Sequence, residues 1–185
     1  SGTILVDGKA VQLEATDTLQ NLRTKINSAN SGVTASIIQE SSNSFKLVLT
    51  SGTEGASVIS LQNGSASDTL SALGFNSTGT AIKNGVTGAA QSDSFSSSTT
   101  AVETLLGISD QSLSGTVTIN GTSVAVDMTD TLEAIKDNMV AAGLSAKIVT
   151  ETSGTTSSYR LEVEGMTSWT DNNNVLQSLG MIEGK

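Results

Sequence analysis

The sequence predicts an α+β protein that uses one small plan twice, β-β-α-β-β, with a helix packed on an antiparallel sheet each time. Three observations carry that prediction. The stretch TILVDGKAVQLEATDTL at residues 3–19 is answered without a gap by TVTINGTSVAVDMTDTL at 116–132, and Thr3 to Thr116 and Asp17 to Asp130 share one offset of 113. In both stretches two runs of alternating apolar residues flank an Asp-Gly or Asn-Gly pair. Both lead into apolar residues at helical spacing that end on a glycine.

The hairpins come first in each half. Ile4 and Val6, then Asp7-Gly8, then Val11 and Leu13 match Val117 and Ile119, Asn120-Gly121, Val124 and Val126. Asp-Gly and Asn-Gly tolerate the positive φ angles of a type I′ turn, whose twist fits the flanking strands. A helix should follow, because Asp17 and Asp130 stand as capping carboxylates three residues before Gln20 and Glu133. Its buried stripe reads Leu19, Leu22 and Ile26 in one half and Leu132, Ile135 and Met139 in the other, with Gly32 and Gly143 as the stops. A second pair of strands is expected at 35–40 and 45–50, and at 146–151 and 159–164. In these strands Phe45, Leu47 and Leu49, or Tyr159, Leu161 and Val163, alternate with polar neighbours.

Each half closes on a related motif, Leu70-Ser71-Ala72-Leu73-Gly74-Phe75 and Leu176-Gln177-Ser178-Leu179-Gly180-Met181. Leu106-Gly107-Ile108 reads as a clipped third instance that docks the second half. The domain reading is a first module at 1–75, a Ser/Thr/Gly-rich connector at 76–104 with a hairpin at Asn84-Gly85, and a second module at 105–185.

Composition narrows the function. The 185 residues include five aromatics, so Val, Ile and Leu must supply the core. A net charge of −9 with no Lys/Arg cluster argues against nucleic acid and acidic membrane surfaces as partners. No run reaches the roughly 18 apolar residues of a membrane span, so no membrane insertion is expected. Ser1-Gly2-Thr3 has neither an initiator Met nor a signal-like start, and the chain reads as a segment of a longer polypeptide.

The absence of Cys removes thiol nucleophiles, disulfides and zinc–thiolate sites, and the absence of His removes Ser/His/Asp catalysis. Serines lie in turns, and no G-x-S-x-G occurs. Glu162 and Glu164 share one strand face, expected to be the solvated one. Asp171-Asn172-Asn173-Asn174 starts like a calcium loop but continues with Val175 and Leu176, so the pattern fails. The sequons at Asn63, Asn76 and Asn120 are expected by chance in so Ser/Thr/Asn-rich a chain. No enzyme, cofactor or metal site is expected. The candidate contact site is Trp169 with Met166 in the loop 165–170, set against the plainer reading that the loop folds over the core.

The run from Thr18 to Asn27, followed by Gly32-Val33-Thr34-Ala35-Ser36 and Lys46-Leu47-Val48-Leu49-Thr50-Ser51, resembles the flagellin hook IN motif, with Ile26-Asn27 as its central pair. The second copy has Met139-Val140 there. Tandem modules of this kind resemble the head of the filament-cap family of hook-associated proteins. That resemblance implies an extracellular, non-catalytic protein at the distal tip of the bacterial flagellum, where cap subunits self-associate in a ring and promote assembly of flagellin. It also implies coiled-coil legs outside this chain. Two other readings stand beside it: a variable outer domain of flagellin or another hook-associated protein, and a surface adhesin or carbohydrate-binding module, for which clustered exposed aromatics would be expected.

Overall fold

In the computed structural model, residues 1–52, 59–75, 79–108 and 113–184 are described. The chain runs through β1 (Gly2–Val6), β2 (Lys9–Leu13), α1 (Leu19–Ser28), β3 (Val33–Ser41), β4 (Ser44–Ser51), β5 (Leu61–Asn63) and α2 (Thr69–Ala72). It continues through β6 (Thr80–Ile82), β7 (Asn84–Val86), β8 (Ala89–Gln91) and α3 (Val102–Leu106). The last stretch holds β9 (Ser114–Ile119), β10 (Thr122–Asp127), α4 (Leu132–Ala141), β11 (Ala146–Ser153), β12 (Thr156–Glu164), β13 (Trp169–Thr170), α5 (Val175–Ser178) and β14 (Ile182–Gly184). The architecture is α+β and rich in antiparallel sheet.

Both expected two-residue turns are present. Val6 pairs with Lys9 and Ile119 with Thr122, and the turn residues Asp7, Gly8, Asn120 and Gly121 all have positive φ. The helix starts lie one residue later than the carboxylates suggest. Thr18 is the N-cap of α1: its Oγ1 accepts from Asn21 N, and Asn21 Oδ1 accepts from Thr18 N. Thr131 caps α4 in the same way through Ala134 N. A β-region backbone with a hydroxyl aimed at the third turn amide makes the cap, and Thr supplies it here. Asp17 instead accepts from Glu14 N and pairs with Lys25. Gly143 follows the C-cap of α4 at φ 95, as expected, but α1 is followed by Asn30 at φ 51, and Gly32 turns the chain into β3.

The expectation of one sheet under each helix needs correction. The hairpin β1–β2 lies in a sheet ordered β2-β1-β5, whereas β3–β4 forms its own two-stranded sheet; likewise β10-β9-β13 is separate from β11-β12-β8-β7. Each long helix therefore packs between two hairpins of different sheets. The segment 76–104 is no bare connector over its described part. β7 and β8 form a hairpin that extends β12, with its turn at Thr87-Gly88, so Asn84-Gly85 lies within a strand. β6 pairs with β14. Asn76 lies outside the described residues.

Two apolar clusters result. One holds Ile4, Val6, Val11, Leu13, Leu22, Ile26, Val33, Ala35 and Leu70. The larger one gathers the inner faces of β9, β10, α4 and β12 with α3 and α5, and it also contains Leu5. All five residues of β1 are buried, so this strand is a wall with one core on each face. Val102, Leu106 and Ile108 belong to the larger cluster, which agrees with a docking role for the segment before β9. Leu19 departs from the expected stripe: it is 41% exposed, whereas Leu132 is fully buried under residues 98–106. That cover is tied down by Val102 N to Asp130 O and Glu133 N to Ser98 O.

Candidate functional site

The Ile26-Asn27 pair does two structural jobs one residue apart. Ile26 faces inward and is 1% exposed. Asn27, on the neighbouring helix flank, clamps the backbone of Ala35: its Oδ1 accepts from Ala35 N at 2.7 Å and its Nδ2 donates to Ala35 O at 3.0 Å. Ala35 sits opposite Leu49 in β3–β4, and in an antiparallel ladder alternate residues turn both polar groups away from the partner strand. The amide of Asn27 thus acts as a one-residue strand on the far edge of β3. Val140 stands at the corresponding helix position in the second half, 49% exposed, and a valine can make no such bonds. Replacing Asn27 with Ala should cost about 1–2 kcal/mol in urea unfolding, because both hydrogen bonds to a largely buried residue are lost. Asn27→Asp should cost at least as much, since it keeps the acceptor and sets a carboxylate against the Ala35 carbonyl.

A second constellation joins β5 to α5 through buried polar groups. Gln62 Nε2 donates to Gln177 O at 2.6 Å, Asn63 N donates to Gln177 Oε1, and Ser178 Oγ donates to Asn63 O at 2.8 Å. Asn174 Nδ2 reaches Ser65 O at 2.8 Å, and Ser65 Oγ accepts from Thr3 N. Among the described residues no buried side-chain nitrogen or oxygen lacks a partner. A buried polar seam of this kind aligns its two sides specifically, because any slip leaves desolvated groups unpaired. The partners across the seam lie 109 to 115 positions apart, and the closing motif that contains Gln177 and Ser178 does not reveal their pairing with β5.

A third cluster pins the strand-bearing middle segment to the end of the chain. Lys83 Nζ lies 2.8 and 2.7 Å from the two Asp93 carboxylate oxygens, and Asn84 Nδ2 donates to Asp93 Oδ1 at 2.8 Å and to Gly180 O at 3.0 Å. The lysine and carboxylate are thus committed to each other.

Met166 and Trp169, the expected contact pair, face largely inward. Met166 is 4% exposed and belongs to the larger core. A side chain that deep offers no surface to a partner. Trp169 is half-buried in β13 opposite Ile119, and its Nε1 donates to Thr80 Oγ1 at 2.8 Å. The loop packs over the core instead of projecting from it. Asn120 is bound up in the same region, donating to Gly165 O and accepting from Thr167 and Ser168 N.

The carboxylates are structural in their geometry. Glu162 was expected on a solvated face, but β8 covers it: Gln91 Nε2 donates to it at 2.6 Å and Lys147 lies 2.9 Å away. The Gln91 hydrogen bond and then Lys147 hold its pKa below the ordinary value of 4.5. A depressed folded-state pKa gives stability that is present above the unfolded value and lost as pH falls through the folded one. Glu162→Gln should therefore make stability fall less steeply below about pH 4.5, read from denaturant midpoints across an acid series. Asp171 has the opposite sign. Burial raises its pKa against hydrogen bonds from the Gln177, Leu176 and Val175 amides, so its contribution declines as pH rises through the raised value. It accepts from Val175 N at 2.7 Å and Gln177 N at 2.9 Å, which makes it the anchor of α5 in place of a calcium ligand. Among the described residues no group of three or more His, Cys, Asp or Glu side chains could hold a metal ion, and no helix is long and apolar enough to cross a membrane.

Residues 2–53, which carry the Asn27 clamp, match the family model described as Flagellin hook IN motif. The chain matches no curated protein and no solved structure. The motif match supports a flagellin-related protein with a structural role in the bacterial flagellum, an extracellular appendage.

Proposed function

We propose that this chain is the head of a flagellar filament cap, a hook-associated protein 2 in which two β-β-α-β-β modules, 1–75 and 105–185, are joined through the segment 76–104. The protein is non-catalytic, sits at the distal tip, self-associates with other cap subunits in a ring, and promotes insertion of flagellin beneath it. The observation that carries this reading is the IN-motif match at residues 2–53 on a hairpin–helix–hairpin whose turn, cap and apolar positions recur at 114–164. Two further features support a geometric rather than a chemical role. The polar side chains that are buried are spent on internal bonds, as in the β5–α5 seam. Several strand edges and polar loops remain available for lateral contacts.

The match is equally compatible with a variable outer domain of flagellin or of another hook-associated protein, which would share export and polymer context but lie along the filament or at its junction. Cells lacking this polypeptide distinguish the cap reading from these. They should release flagellin unpolymerised into the medium, whereas filaments of normal length would overturn the cap assignment.

A further inference from the structure

Three asparagines of the chain, Asn63, Asn84 and Asn120, stand directly before a glycine. Asparagine is chemically labile in a polypeptide. The backbone nitrogen of the next residue attacks the side-chain Cγ, a succinimide ring closes, and ammonia leaves carrying Nδ2; water then opens the ring to aspartate or isoaspartate. Glycine in the next position makes the fastest case, because no Cβ hinders the approach of its nitrogen, and a small residue such as serine follows it. By local sequence the three Asn-Gly pairs are therefore the sites of change.

The fold reverses that order, because ring closure needs a side chain free to swing onto the next nitrogen. Asn63 is buried: its Nδ2 donates to Asp68 Oδ1 at 3.1 Å, its Oδ1 accepts from Leu70 N at 3.0 Å, and the attacking nitrogen, Gly64 N, is itself engaged with Thr3 O at 2.8 Å. Asn84 is held by Asp93 and Gly180 O, and Asn120 by Gly165 O and the Thr167 and Ser168 amides. Of the described asparagines before serine, Asn27 clamps Ala35 and Asn30 donates to Ser28 O at 3.2 Å. Asn43, before Ser44, is exposed and makes no side-chain hydrogen bond among the described residues. Asn172 is equally unbonded but precedes the larger Asn173. The backbone around Asn43 is also loosely held. Ser42 and Asn43 form the two-residue turn between β3 and β4, neither has the positive φ that suits such a turn, and the ladder is bulged beside it between Gln39 and Ser41. Residues 38–46 are all exposed, so opening this tip breaks little and supplies the geometry that ring closure needs.

We infer that Asn43 is the deamidation site of the folded protein and that the three Asn-Gly pairs are protected by the bonds that hold them. Asn43 lines an open groove with Leu19, Ile37 and Phe45, and Phe45 is 54% exposed. Conversion sets a carboxylate beside these apolar side chains. Isoaspartate also routes the backbone through the side chain, which lengthens a two-residue turn by one methylene. The inference holds for a cap head and for an outer domain alike.

Peptide mapping by mass spectrometry tests it on the whole chain, aged for several weeks in mildly alkaline buffer with and without concentrated urea. Each conversion adds about 1 Da, and fragment ions assign it to one asparagine. In urea the three Asn-Gly pairs should convert first. In the native chain they should slow by about tenfold or more, because conversion then waits on opening of the structure, and Asn43 should lead the described asparagines. Ser44→Gly should speed conversion at Asn43 by about tenfold, since the attacking nitrogen loses its hindrance. Conversion of Asn63, Asn84 or Asn120 ahead of Asn43 in the native chain overturns the inference, and so does conversion of Asn30 or Asn172 ahead of it. Asn-Gly rates that are the same with and without urea overturn the protective role of the bonds. An unchanged rate at Asn43 in the Ser44→Gly chain overturns attack by the following nitrogen at that turn.

Discussion

Replacing Gly180 with alanine is expected to destabilise the protein by about 2–4 kcal/mol, a large effect for one methyl group. Two penalties coincide there. The residue sits at φ 73, in the left-handed region where a Cβ costs about 1–2 kcal/mol. A Cβ at that position would also lie 2.2 Å from the Asp93 carboxyl carbon. The carboxylate cannot move aside freely, because Lys83 and Asn84 hold it and Asp93 N donates to Leu179 O at 2.8 Å. Overpacking of this kind adds about 1–3 kcal/mol. The check is a double-mutant cycle with Asp93→Ala in urea. With the carboxylate gone the clash is relieved and only the backbone strain remains, so the two changes should be strongly non-additive. Additive costs would mean that the close approach contributes nothing.

Leu5→Ala is expected to cost about 3–5 kcal/mol and to be felt in both halves. Leu5 is fully buried and belongs to the larger cluster, while its neighbours Ile4 and Val6 belong to the other. The single tryptophan, Trp169, packs against the larger cluster and reports on it by fluorescence. Leu5→Ala should lower the denaturant midpoint seen by Trp169 more than Ile4→Ala does, although both remove a buried aliphatic side chain from the same strand. Equal shifts, or no shift with Leu5→Ala, would mean that β1 does not couple the two cores.

The parts of this architecture that were legible in the sequence are those set by neighbouring residues. Asp7-Gly8 and Asn120-Gly121 were readable because a two-residue hairpin turn demands positive φ twice and few pairs tolerate it. Helix positions were readable from Leu22, Ile26, Leu132, Ile135 and Met139, all of which are buried. The caps were misplaced by one residue because Asp17-Thr18 and Asp130-Thr131 each offer two adjacent capping side chains, and only the backbone decides between them. Leu19 failed because periodicity places a residue on a helix face without saying whether anything covers that part of the face.

Long-range pairing was hidden altogether. β8 finds β12 across about 70 residues, and that pairing buries Glu162, which local alternation assigns to solvent. Gln177 and Ser178 stand out only as part of the closing motif and Asn63 only as a chance sequon; their bonding with β5 becomes visible once the fold brings them together. At the candidate site the sequence pointed to Ile26-Asn27 as a motif. What it could not supply was the reason for the asparagine, because the Ala35 backbone needs a partner only once β3 and β4 have paired.

The most direct test of the account is where the protein sits on a flagellum. Gold-labelled antibodies raised against this chain and applied to intact flagella of the source cells should mark a single spot at the distal end of each filament. Label distributed along the shaft or confined to the junction near the hook would contradict the cap assignment and favour the outer-domain readings. Label on the cell surface with none on flagella would contradict the flagellar role itself.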